Sequence, residues 1–262
     1  MSQGKVIGRA NVPTFGRASG LWRVGEVFDA RTTGTWPRVP FFGGFFAGII
    51  DTNQPGAILT EDQYQTPLRY ALIVSPRSLQ TSLEWRSPRT TVVEAQTRWN
   101  GLAAQEALTP DTTFPAFDYC NSLPFPDDGG SKWYLPALDE LTEAYWNLKP
   151  TTDDNSTGTR TTGDFPDDNF NQGELFSTDP QRPPFTEGTP EQTNFTDFKE
   201  GADQEFLQVG GQVGSLSRLF WTATWRSSGL AWLVDFTDGN PNSTLQNSAR
   251  RVRPVRRVVL PS

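Results

Sequence analysis

An α+β fold with short antiparallel sheets, two helices and long irregular loops is what this 262-residue sequence predicts. Three observations lead there. Apolar residues come in short runs bounded by glycine and proline, as buried strands do. Only two longer segments carry helical spacing. The 23 glycines and 21 prolines require turns and irregular connections between these pieces. Hydrophobic residues make up 35% of the chain, and the 12% that are aromatic supply buried area that the sparse aliphatics do not.

Residues 1–40 read as a separate segment. "GLWRVGEVFDARTTGTWP" has one short helical pattern (Val24, Val27, Phe28, Arg31) between Trp22 and Trp36, punctuated by Gly20, Gly34 and Pro37. It is too small to enclose Trp22, Phe28 and Trp36, so it is expected to attach to something larger. A single domain is expected over 41–262. "FFGGFFAGII", from Phe41, reads as a buried strand in which Gly43 and Gly44 mark a bulge or a close backbone approach. "YALIVSP" (Tyr70–Pro76) reads as a second.

"TVVEAQTRWNGLAAQEAL" places Val92, Val93, Gln96, Trp99, Leu102, Ala103 and Glu106 at helical spacing, and its apolar members predict one amphipathic face. "LPALDELTEAYWNL" aligns Leu138, Leu141, Tyr145 and Leu148, with Pro136 before the start and Asp139 and Glu140 in the first turn. Residues 150–217 show no periodicity. Phe165, Phe170, Phe176, Phe185, Phe195 and Phe198 recur there and are expected to pin a long ordered loop. "LFWTATW", "LAWLVDFTD" and "RRVRPVRRVVL" then read as strands of a small antiparallel sheet.

Composition excludes several functions. Without histidine there is no Ser–His–Asp or Cys–His nucleophile and no His-ligated zinc. One cysteine, Cys120, forms no intrachain disulfide, and nothing activates it as a nucleophile. A net charge of −7 opposes general nucleic-acid binding. No run of about 18 apolar residues predicts a membrane span. The opening "MSQGKVIGRANVP" lacks the apolar core of a secretory signal.

Several segments resemble one family in order along the chain. "GGSKWYLPALDEL" (Gly129–Leu141), "FWTATWRSSGLAWLVDFTDGN" (Phe220–Asn240) and "ARRVRPVRRV" (Ala249–Val258) are similar to Lcl-like C-terminal domains of phage tail fibres and bacterial adhesins. "GGFFAGII" and "YALIVSP" stand where that family has its first strands. The resemblance implies a C-type-lectin-like fold over about 41–258. Ala137 departs from it, because the family has a helix-capping serine there, a cap worth roughly 1 kcal/mol. The 150–217 stretch also exceeds the family's length. The opening of the chain resembles tail and fibre proteins of aquatic phages.

The resemblance implies a virion structural protein, exposed on the particle and made in the host cytoplasm without a signal peptide. As a tail-fibre, tail-tip or baseplate adhesin it would bind a host surface glycan or protein, without catalysis or a cofactor. The alternative is a capsid-decoration or fibre-joint component. Its N-terminal segment would hold other virion proteins through Trp22, Phe28 and Trp36, and a homo-oligomer, with a trimer favoured, is expected.

The candidate ligand face comprises Trp225, Arg226, Ser227 and Ser228, with Asp238, Asn240, Asn242, Ser243 and Asn247. An aromatic plane, a guanidinium and amides suit an adaptable binding surface. The variable residues of retroelement-diversified lectin-fold proteins fall in the equivalent stretch. A plain solvated turn at Gly239 and Pro241 is the competing reading. Trp221 and Trp232 read as core, whereas Trp225, followed by "RSSG", reads as partly exposed.

Asp153, Asp154, Asp164, Asp167 and Asp168 lack calcium-loop spacing, and the chain lacks the calcium-lectin triplets, so a solvated acidic loop is expected and no metal. Arg250, Arg251, Arg253, Arg256 and Arg257 are expected to cover apolar surface in a closing strand.

Overall fold

A computed structural model describes residues 38–39, 44–51, 69–95, 97, 100–125, 130–155, 191–192 and 218–259. In chain order the elements are β1 (Arg38–Val39), β2 (Gly44–Asp51), β3 (Arg69–Val74), β4 (Thr81–Leu83), α1 (Gly101–Leu108), α2 (Pro115–Ser122) and α3 (Leu138–Leu148). They continue as β5 (Leu219–Ser227), β6 (Leu230–Asp235), β7 (Pro241–Leu245), β8 (Arg250–Val252) and β9 (Val255–Val259). Single 3₁₀ turns lie at Arg77–Leu79 and Val93–Ala95. The chain is therefore α+β.

The strands form two sheets, in the orders β1-β2-β3-β9 and β4-β8-β5-β6-β7. The first is antiparallel throughout. In the second, β8 meets β5 in parallel at Phe220 and Arg251. Arg38 and Val39 pair with β2, so backbone pairing crosses the boundary expected at residue 40. Trp22, Phe28 and Trp36 lie outside the described residues, as do the phenylalanines and Asp164, Asp167 and Asp168 of the 150–217 stretch.

One apolar core lies between the two sheets and α3. Phe45, Phe46, Tyr70, Leu72, Leu138, Tyr145, Phe220, Trp232 and Phe236 meet in it. A second lies across the β5–β6 sheet, where Trp85, Phe114, Phe117, Leu135, Trp221 and Leu233 pack with α1 and α2. Successive strand residues face opposite ways, so Phe220 serves one core and Trp221 the other. Trp85 meets Phe117 edge-on at 5.1 Å and donates its indole N–H to the Thr222 carbonyl at 2.7 Å.

Four sequence expectations change. The single helix proposed from Val92 breaks in two. Thr97 Oγ1 accepts from the Asn100 N–H at 3.0 Å, and Asn100 Oδ1 accepts from the Ala103 N–H at 3.1 Å, which starts α1 afresh. Val93 is 59% exposed, and α1 buries Leu102, Ala104, Gln105 and Leu108 while Ala103 and Glu106 face solvent.

A third helix, α2, joins the two expected. It starts with Pro115 and buries Ala116, Phe117 and Cys120, too short a run for a helical period to register. The stretch 237–248, which the sequence reads as a loop with a turn at Gly239 and Pro241, contains β7, whose backbone pairs with β6 despite its polar sequence. "RRVRPVRRVVL" divides at Arg253–Pro254, sending β8 to one sheet and β9 to the other. The β2–β3 bulge falls between Phe46 and Gly48, where Gly48 has φ +142°.

Gly44 is the close backbone approach, one of the two expectations there. A Cβ there would lie 2.4 Å from the Val74 carbonyl oxygen, a backbone atom that cannot swing aside. Gly44→Ala is expected to cost about 2 kcal/mol or more by prising β2 from β3, a size at which a named packing fault is required. Urea denaturation measures it, and a cost below about 0.5 kcal/mol would show that the strands separate freely.

Candidate functional site

The irregularity of β5 organises this part of the molecule. Trp221 pairs with Leu233 and Trp225 with Ala231, so β5 spends four residues where β6 spends two. The extra residues turn their polar groups toward α3. The Ala223 N–H donates to the Pro136 carbonyl at 2.7 Å, and Thr224 Oγ1 accepts from the Leu138 N–H at 2.9 Å. Glu140 Oε2 accepts from the Ala137 N–H at 2.7 Å. The cap absent at Ala137 is thus replaced by a threonine from a distant strand and by the helix's own glutamate.

The proposed ligand residues do not form one surface. The β5–β6 turn and the β7–β8 connection share one end of the sheet, since Leu230 pairs with Leu245 and the Gln246 N–H donates to the Gly229 carbonyl at 2.9 Å. Ser228 and Asn247 are exposed there. Asp238 and Asn240 belong to the β6–β7 turn at the other end, about 17 Å away along a strand of this length.

The remaining residues divide by face. Arg226 lies over Trp232, its guanidinium carbon 4.9 Å from the ring centroid, and Nη1 donates to Ser243 Oγ. Trp225 lies on the opposite face, half-buried against the second core, with its indole N–H unpartnered among the described residues. Asn242 pairs with Leu233 on that same face and is exposed, its Oδ1 accepting from the Ser243 N–H at 2.7 Å. Ser227 ends β5 opposite Leu230, half-buried.

Gln246, which carried no signal in the sequence, holds the Ser228–Asn247 end. Its side chain takes both backbone groups of Thr90, accepting from the N–H at 2.9 Å and donating to the carbonyl at 2.9 Å. Its own carbonyl accepts from the Trp85 and Arg86 N–H groups at 2.8 and 3.0 Å. Gly229, at φ +79°, makes the tight turn beside it. One buried glutamine so fixes the base under an exposed tip. A lone Gln among Asn and Ser has no periodicity that would single it out.

The other end is also tied down. Asp238 Oδ1 accepts from the Asn240 N–H at 2.9 Å, Asp235 Oδ1 from the Thr237 N–H at 2.8 Å, and Thr151 Oγ1 donates to the Thr237 carbonyl at 2.6 Å. Buried Lys149 donates to the Asp153 carbonyl, and Tyr145 to Asn155 at 2.8 Å. Burial pushes Lys149 down while Asp153, Asp154 and Asp238 push it up. Burial, aided by Asp238, Asp235 and Asp153, raises Tyr145 far above its ordinary range. Among the described residues no three acidic or sulfur ligands gather as a metal site.

Cys120 is wholly buried, and burial raises its thiol far above the ordinary range. Arg253 and Arg256 are buried in the closing segment. Arg253 Nε donates to the Ser75 carbonyl at 2.9 Å, and Arg256 Nε to the Ser131 carbonyl at 2.7 Å. The Arg256 guanidinium carbon lies 5.4 Å from the Trp133 ring centroid. Arg257 donates to Asn100 Oδ1 at 3.0 Å, while Arg250 and Arg251 are half-buried. No described helix is long and apolar enough to cross a membrane.

No protein-family model, curated protein or solved structure matches the chain.

Proposed function

We propose that this chain is a virion surface protein that binds the host cell through the end of its second sheet. It would be a tail-fibre, tail-tip or baseplate adhesin with a C-type-lectin-like domain. The ordered series of motifs from "GGFFAGII" to "ARRVRPVRRV" supports that reading. So does the one geometric observation that carries it: exposed Ser228 and Asn247 stand on a base locked by Gln246, beside Arg226 stacked on Trp232. A rigid support lowers the ordering cost of binding, and an exposed hydroxyl and amide beside a half-buried guanidinium suit glycan hydroxyls or peptide backbone. Binding is the whole activity in this reading, with no bond made or broken.

The separation of the two ends supplies an internal control. Arg226→Ala and Asn247→Ala are expected to weaken binding of the purified full chain to host cells at least tenfold. Asp238→Ala, at the far end, is expected to leave it within twofold. Flow cytometry with labelled protein measures both. Absence of binding by the unaltered chain, or equal losses from both ends, would refute the reading. The open outer edge of β7, which pairs only with β6 among the described residues, favours a second reading as an assembly component. Virions that fail to assemble when β7 is altered would favour it.

A further inference from the structure

Three stretches of chain meet at the Ser228–Asn247 end of the second sheet, and Gln246 joins them. Its side chain bonds both backbone groups of Thr90, its N–H donates to the Gly229 carbonyl, and its carbonyl accepts from the Trp85 and Arg86 N–H groups. The stretches 85–91, 226–230 and 245–250 hold Arg86, Arg89, Arg226 and Arg250 and no aspartate or glutamate, in a chain whose net charge is −7. The nearest acids along the chain, Glu84 and Glu94, fall outside them. The opposite end, at 149–155 and 235–240, holds Asp153, Asp154, Asp235 and Asp238 against one cation, Lys149. The sheet therefore carries opposite charge at its two ends, and the exposed serine and asparagine stand at the positive one.

Three of the four arginines are held by the protein. Arg226 lies over Trp232 and donates to Ser243 Oγ. Arg250 Nη1 donates to the Ala249 carbonyl at 2.8 Å. The Arg86 guanidinium carbon lies 4.5 Å from the Phe114 ring centroid, and its charge reaches Asp111, whose carboxyl is lowered by the Thr113 N–H first and by Arg86 after it. Arg89 differs from these. It is exposed, and it makes no hydrogen bond or ion pair among the described residues. Its stem lies across the β5–β6 turn, where a Cβ on Gly229 would stand 3.5 Å from Arg89 Cβ and 3.6 Å from Arg89 Cδ. Arg89, Ser228 and Asn247 thus reach solvent around one glycine. A guanidinium offers paired N–H groups that fit a carboxylate or phosphate, and neighbouring cations strengthen the field it presents.

On the reading that this end of the sheet binds the host, we propose that its ligand carries an anionic group, the carboxylate or phosphate of an acidic surface glycan, and that Arg89 holds that group. The Ser228 hydroxyl and the Asn247 amide bond the sugar hydroxyls beside it. The charged contact thus comes from a segment far earlier in the chain than the two neutral ones.

The test titrates the full chain by calorimetry, at low ionic strength, with oligogalacturonate, with its uncharged methyl ester and with inorganic phosphate. Binding to host cells is followed in parallel. Binding of an anion and not of the ester is expected, and the tighter of the two anions tells a sugar carboxylate from a phosphate. Arg89→Ala is expected to weaken anion and cell binding at least tenfold and to leave the melting temperature unchanged, as exposed substitutions do. Arg89→Lys keeps the charge but loses the paired N–H groups, and is expected to fall between. Arg218→Ala, which removes the same charge beside Asp153 at the opposite end, is expected to stay within twofold. Added salt is expected to weaken anion binding. Cells bound equally by the unaltered chain and by Arg89→Ala would overturn the assignment to Arg89 and leave host binding standing. Anion binding that Arg89→Ala abolishes, in a chain that binds no cells, would uphold the anion site and end the host reading. Failure of both anions to bind at millimolar concentration, or equal binding of the ester, would overturn the anion site.

Discussion

Glu140→Ala is expected to remove a large part of the stability of the fold. Glu140 is fully buried and every acceptor position on it is taken. Oε1 accepts from the Tyr70 and Tyr134 hydroxyls at 2.7 and 2.8 Å. Oε2 accepts from the Ala137 and Gly101 N–H groups at 2.7 and 3.1 Å. One carboxylate therefore joins β3, the approach to α3 and the first residues of α1 and α3. Removing it strands four buried donors, each costing about 1–3 kcal/mol. The loss is expected to reach about 4 kcal/mol or more, a large part of the roughly 5–15 kcal/mol a domain possesses. Tyr134→Phe, which removes the bond to Glu140 Oε1 and leaves the carboxyl in place, is expected to cost about 1 kcal/mol. Equilibrium urea denaturation compares the two, and an alanine variant within 1 kcal/mol of the unaltered chain would refute the network's importance.

The same carboxyl gives a pH signature. Burial pushes it above the ordinary 4.5, against the pull of the Ala137 N–H, the Tyr70 and Tyr134 hydroxyls and Arg257. A carboxyl raised on folding binds its proton more tightly in the native state. Its contribution is complete below the unfolded value and declines as pH rises through the folded one. Glu140→Gln does not titrate, so the stability difference between the unaltered chain and this variant is expected to shift against the former as pH rises past 4.5. A pH-independent difference would place the folded value at the unfolded one.

Trp232→Ala is expected to cost about 3–5 kcal/mol, as large-to-small changes in a packed core do. Trp232 is fully buried in the core between the sheets, and its carbonyl accepts from Thr222 Oγ1 at 3.0 Å. Its ring also supports Arg226. The alanine variant is therefore expected to lose the binding assigned to Arg226 as well, and Arg226→Ala added to it should weaken binding no further. That non-additivity is the signature of two residues acting as one unit. Trp225→Ala, half-buried on the other face, is expected to cost less than half as much in stability. Equal costs at the two positions would mean that burial does not separate them.

Much of the frame was legible in the sequence. "FFAGII" and "YALIVS" contain apolar runs that can be buried on both faces, and they became β2 and β3. "LDELTEAYWNL" carries a helical stripe and acidic first-turn residues, and it became α3. Alternation put Trp221 and Trp225 on one face because side-chain direction in a strand is a local property. Thr97 and Asn100 are local too, yet they were outweighed by the apolar spacing on either side of them. The break before α1 was present in the sequence as two polar side chains able to bond nearby N–H groups.

Tertiary structure decided the rest, because the rest depends on partners far along the chain. Nothing near Ala137 signals that Thr224 will cap its helix, or that Gln246 will hold Thr90 across a separation of 156 residues. The polar β7 became a strand only because β6 offered it a paired backbone, a bond that side-chain pattern does not encode. The nine residues expected to share a ligand face are neighbours in sequence. A hairpin separates such neighbours, sending alternate residues to opposite faces and successive turns to opposite ends, so Arg226 and Ser243 met while Trp225 and Asp238 went elsewhere. The sequence by itself determined that the runs of β2, β3, α3, β5 and β6 would be buried. Only the packing of two sheets and α3 around shared polar groups decided which exposed residues stand together.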